Sequence, residues 1–170
     1  MVLVKSELIS QLQKEVDILV HLADKLDRSM LDYRPTAKQR STIELLRYLS
    51  IMGPQLVKGA KGQFDVEAWQ AANKEAAARD FDQTMAVIAG QKELYAKELG
   101  AWTDADFRSE MTGFDGSKIS RGLFLVNLVL GGHAAYRTQL FCYLKACGRE
   151  ELGTTNLWRG VDPAPASAPA

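Results

Sequence analysis

The stretch from about Ser120 to Ala146 constrains the fold most. Its spacing predicts one continuous helix of ~27 residues, ~40 Å long at 1.5 Å per residue, with Gly148 just beyond it as a stop. From Leu123 to Leu130 every residue except Asn127 is apolar. A helix apolar on all sides has to be covered on all sides, by its own bundle or by a partner subunit. A chain with such a rod must supply other helices to pack against it.

It does so along most of its length. From Ser6 to Met30, the positions Ile9, Leu12, Val16, Leu19, Val20, Ala23 and Leu26 mark one face of an amphipathic helix. Pro35 breaks the pattern between Leu31 and Ala37. Ser41-Thr42-Ile43-Glu44 is a capping box, so a second helix is expected from about Thr42. Gly53-Pro54 predicts a kink or an end there, with helical character resuming to about Val57, and Gly59 and Gly62 mark a loop. Val66 to Arg79 reads as a short surface helix. After the cap at Asp80–Gln83, a third long helix places Met85, Ile88, Tyr95 and Leu99 on one stripe and stops at Gly100. Thr103–Asp106 predicts one short turn, and Met111–Ser117 an irregular or extended connection. No strand pair is visible. The expected fold is all-α: a four-helix bundle with one extra short helix between the second and third long helices. One domain over 1–160 is expected, with Thr154–Trp158 folded back on the body and 161–170 a mobile Pro/Ala-rich tail.

Composition narrows the function classes without choosing one. Lys+Arg and Asp+Glu both number 21, and 46% of the 170 residues are hydrophobic. A balanced charge argues against nucleic-acid and membrane-surface partners. No apolar run approaches the ~20 residues of a membrane span. Met1–Glu7 lacks the order of a signal peptide, so a cytoplasmic protein is expected. Cys142 and Cys147 would point about 140° apart on a helix and are expected to be inert, partly buried thiols. Common nucleotide, hydrolase and redox motifs are absent. With only two histidines, His21 and His133, one chain cannot build a three-imidazole zinc site. The acidic residues fall on outward faces. The segment Gly131-Gly132-His133-Ala134-Ala135-Tyr136 stands out, because each mid-helix glycine costs about 1 kcal/mol relative to alanine. His133 and Tyr136 are expected to share a face, as the lining of a polar pocket or as a hydrogen-bonded interior pair.

Two segments carry a resemblance. Leu31-Asp-Tyr-Arg-Pro-Thr-Ala-Lys-Gln-Arg-Ser-Thr-Ile-Glu-Leu-Leu-Arg-Tyr-Leu49 leads into the second helix, and Leu128–Gly148 forms the last one. Together they resemble the DinB/YfiT-like family of bacterial four-helix-bundle proteins. That resemblance implies a divalent metal, nickel or zinc, held by one histidine on the second helix and two, four apart, on the last. Aligned on Arg137-Thr138-Gln139, those positions are Tyr48, Gly132 and Tyr136. None is histidine, and His133 lies one residue off, about 100° around the helix. A neutral phenol of pKa near 10 is a poor ligand for either metal. A degenerate metal site is therefore expected, with no cofactor. A tryptophan common in the family is Arg40 here, whereas Arg137 and Gln139 match and read as structural. Three functions follow. One is a metal-dependent hydrolase or thiol-dependent transferase with a rearranged site, His133 being helped by His21 from the first helix. Another is a metal-free relative in which Tyr48, His133 and Tyr136 hold a small molecule or supply acid–base groups for a metal-independent reaction. The last is a non-catalytic homodimer. An open polar cleft between Tyr48 and Tyr136 favours the first two, and a closed hydrogen bond between them favours the third.

Overall fold

The computed structural model describes residues 3–62 and 64–164. The long helices are α1 (Lys5–Ala23), α2 (Thr42–Lys61), α4 (Phe81–Gly100) and a final rod. The rod is built from α6 (Arg121–Phe124), a π-helical stretch (Leu125–Leu130) and α7 (Gly131–Ala146). The shorter elements are α3 (Val66–Ala78), α5 (Asp104–Arg108), the strands β1 (Glu110–Thr112) and β2 (Lys118–Ser120), and α8 (Thr154–Arg159). The structure is thus an all-α bundle, with α3 as the extra helix between the second and third long ones. Both α4 and α7 pack against α1 and against α2, so α1 and α2 occupy opposite corners and so do α4 and α7.

Each long helix starts where a side chain can satisfy its orphan donors. The Ser41 hydroxyl accepts from the Glu44 amide, and Glu44 returns a bond to the Ser41 amide at 2.7 Å. Asp80 and Gln83 do the same for α4. The periodic apolar residues then meet: Leu12, Val16, Leu19 and Leu22 of α1, Leu45, Leu46 and Leu49 of α2, Ile88 and Leu99 of α4, and Phe124, Leu125, Val129, Leu140 and Leu144 of the rod are all buried.

Several expectations are corrected. The first helix ends at Ala23, not Met30, and a single 3-10 turn at Arg28–Met30 follows. Helix α2 continues through Pro54 to Lys61 instead of ending there. The residue before this proline is a glycine, which has no Cβ to crowd the ring. Met111–Ser117 belongs to a β-hairpin after all, with Met111 paired to Ile119. Its turn holds Gly116 at φ +81° and is closed by Asp115, which accepts from the Ser117 amide and hydroxyl. Three-residue strands are too short to show alternation in sequence. The Leu123–Leu130 stretch is not covered all round, because Leu123 and Asn127 are exposed. Cys142 is exposed, Met85 only partly buried, and one acidic residue, Glu15, faces inward. The expected tail divides: Asp162 is tied to Lys25 at 2.6 Å and to Asn156 at 2.9 Å, and residues 165–170 lie outside the described residues. As expected, α8 folds back on α1 and α7.

Candidate functional site

Tyr48, Gly132 and Tyr136, from α2 and α7, do come together. They form one end of a groove of about 500 Å³, within the usual range for small-molecule sites. Gly132 sits at a close approach, since a Cβ there would lie 3.0 Å from the Met52 sulfur of α2, which would have to shift to admit it. Tyr48 and Tyr136 meet edge to face with ring centroids 5.0 Å apart. The aromatic part of the wall beyond the two tyrosines comes from outside the long helices. Trp69 of α3 packs against Tyr48 at 6.1 Å, Phe64 against Trp69 at 5.5 Å, and Phe114 of the hairpin turn against Phe64 at 5.0 Å. Each aromatic contact adds of order 1 kcal/mol beyond burial, so the connector, the short helix and the hairpin all hold this wall in place. The signal available was that these aromatic residues fall outside the long helices, where no core position demands them. Arg40, at the position where a tryptophan was expected, lays its guanidinium on the Tyr48 face 4.0 Å from the centroid. No cleft separates the two tyrosines, whose rings are in contact; the open space lies beside them and is aromatic, not polar. Burial, and then the neighbouring Tyr136 hydroxyl, push the Tyr48 phenol up to about 12.

His133 does not join this groove. About 60° of helix rotation separates it from Tyr136, and that directs the imidazole into the bundle centre, where it is 1% exposed. There it meets the Tyr95 hydroxyl of α4 at 2.7 Å. Gln91 fixes the proton positions. Its amide nitrogen donates to the Leu49 carbonyl at 2.8 Å, which turns its oxygen toward Tyr95. The Tyr95 hydroxyl has one proton and donates it to Gln91 at 2.9 Å. His133 must then carry its proton on Nε2 and donate to Tyr95. Its Nδ1 is buried without a partner among the described residues. Burial pushes the imidazole down to about 4, so His133 is neutral at pH 7. The passage between α4 and α7 exists because α2 has Gly53 beside it: a Cβ at that position would lie 1.8 Å from the Tyr95 oxygen.

The remaining expected residues lie outside the groove. His21 does not reach the interior next to His133; its Nε2 lies 3.1 Å from Asn156 of α8 and 3.7 Å from Asp162. Arg137 is buried, faces Glu15 of α1 at 2.5 Å, donates to the Leu157 carbonyl and stacks on Trp158 at 5.1 Å. Gln139 donates to the Tyr143 hydroxyl, which donates to the Arg40 carbonyl at 3.0 Å and anchors the approach to α2.

The three family ligand positions thus offer two neutral phenols and a glycine whose space faces a methionine sulfur. This donor set does not suit nickel or zinc. Among the described residues, no group of three or more His, Cys, Asp or Glu side chains is placed to hold a metal ion. No helix of the described residues is long and apolar enough to cross a membrane. No family profile matches the chain, and no curated protein does. Among solved structures, a DinB-like protein (YjoA) from Bacillus subtilis superposes with a TM-score of 0.66 at 17% sequence identity, covering 86% of this chain and 94% of that one. At that identity the likeness is one of fold. Over most of its length this chain has the DinB-like fold.

Proposed function

We propose that the aromatic groove binds a small apolar or aromatic molecule, without the divalent metal that the family resemblance implied. The observation that carries this reading is the unbroken run of rings from Tyr136 through Tyr48, Trp69 and Phe64 to Phe114, which lines an open space of about 500 Å³. Packed rings are preorganised, so a flat ligand meets its contact area with little ordering cost. Binding is favoured over acid–base chemistry because His133 is sealed in the core and the Tyr48 phenol is too weak an acid to transfer protons at neutral pH.

The test uses N-phenyl-1-naphthylamine, an uncharged aromatic dye that brightens in apolar surroundings. The wild-type protein is expected to give a saturable fluorescence rise. Ala135→Trp, at an exposed helical position on the groove wall, should abolish it while leaving the melting temperature within a few degrees. Equal dye binding by Ala135→Trp would place the dye elsewhere and overturn the reading.

A further inference from the structure

Beyond the Phe64–Phe114 pair lies a second cavity, of about 580 Å³. The two rings, 5.0 Å apart, line both spaces and stand between them. The second space differs in chemistry from the first. Its wall includes Met111, Gly113 and Phe124, together with the side chain of Arg121. The Arg121 Nε is buried with no hydrogen-bond partner among the described residues. The guanidinium lies 6.0 Å from the centroid of the Trp102 ring, and among the described residues no carboxylate pairs with it. The acidic groups nearby are otherwise engaged. Asp106 caps α5, accepting from the Thr103 amide at 2.6 Å and the Thr103 hydroxyl at 2.7 Å, and it feels Arg121 only as a weaker neighbouring charge. Glu110, also on the cavity wall, is 4.0 Å from Lys118 across the hairpin.

A buried guanidinium donor without an acceptor is costly. That nitrogen is closed to solvent, so an acceptor brought in from outside would meet the terminal nitrogens of the same guanidinium, on a half-buried side chain that lines a cavity adjoining the aromatic groove. An oxyanion would meet a planar fork of donors there. We propose that the two cavities act as one bipartite site for an amphipathic anion: the aromatic or apolar body lies in the groove between Tyr136 and Phe64, and a carboxylate or sulfonate oxygen reaches Arg121 past Phe114. This inference rests on the groove being a ligand site and adds the charge class of the ligand. Phe114 is 62% exposed at the hairpin turn, so moving its ring aside costs its contacts with Phe64 and Phe124 and little other burial.

The experiment compares two dyes of the same ring skeleton. One is N-phenyl-1-naphthylamine. The other is 1-anilinonaphthalene-8-sulfonate, which adds only the anionic group. The wild type is expected to bind the sulfonate roughly tenfold more tightly, the effect of one charge-assisted contact. Arg121→Gln should remove that preference and leave the affinity for the neutral dye unchanged. Arg121→Lys, which keeps the charge but not the planar fork, should keep part of it. Unchanged affinity for the neutral dye certifies that the variants are folded. If the wild type shows no preference for the sulfonate, or if the preference survives in Arg121→Gln, the assignment of Arg121 fails while the groove reading stands. If neither dye binds, or Ala135→Trp affects neither, both fail together.

Discussion

At the scale of single residues, Gly53 does more than its place in a helix implies. Glycine normally costs about 1 kcal/mol relative to alanine there, so Gly53→Ala should stabilise α2. The structure reverses the sign. A methyl group 1.8 Å from the Tyr95 oxygen would force that hydroxyl away from both Gln91 and His133. Each buried polar group left without a partner costs roughly 1–3 kcal/mol. Gly53→Ala is therefore expected to destabilise the protein by about 2–4 kcal/mol, read as a lower urea midpoint. A gain in stability would contradict the packing described. None of this was visible in the sequence, where Gly53 stood beside Pro54 and read as an interruption, and Tyr95 read as one more apolar position on α4. Its hydroxyl meets residues 38 positions ahead and 4 behind, and only the first of those separations lies beyond the reach of local pattern. The family positions Tyr48, Gly132 and Tyr136 were found because an aligned motif carries register across the fold. The rest of the aromatic wall has no motif.

At the scale of elements, Arg137 joins α7 to α1 through Glu15 and to α8 through the Leu157 carbonyl and the Trp158 ring. Burial outweighs the neighbouring guanidinium in setting the Glu15 carboxyl, whose pKa lies above the ordinary value. A buried pair of this kind is held by mutual need more than by net gain. Arg137→Met alone is expected to cost about 3–5 kcal/mol, because it strands Glu15, and the double variant with Glu15→Leu should cost clearly less. A thermal or denaturant double-mutant cycle reads the difference, and additive losses would show that the two side chains do not depend on each other. The long helices were legible because amphipathic periodicity and capping boxes are local signals. The continuation of α2 through Pro54, the π-helical stretch and the hairpin were not, since each is decided by packing against other elements.

At the scale of the whole molecule, the buried histidine couples folding to pH. Its folded-state pKa, about 4, lies below the ordinary value of 6.5. The unfolded chain therefore takes up a proton first as pH falls, and stability is lost between about pH 6.5 and pH 4. The loss from this group is on the order of 3 kcal/mol at the lower end. Glu15, with its raised pKa, works in the opposite direction, so the informative quantity is the difference between wild type and His133→Gln, whose amide can still donate to Tyr95. On acidification the variant should gain stability relative to the wild type, and a pH-independent difference would mean the imidazole is already solvated. The same network has a historical consequence. Gly53, Tyr95 and His133 sit on three helices, and their side chains, or the lack of one, fit only as a set. A larger residue at 53 is blocked while tyrosine occupies 95. Losing the tyrosine strands the histidine, and losing the histidine leaves the tyrosine one partner short. Drift at any one of these positions is penalised until the others have moved, so descendants of this chain should either keep all three or have replaced them together.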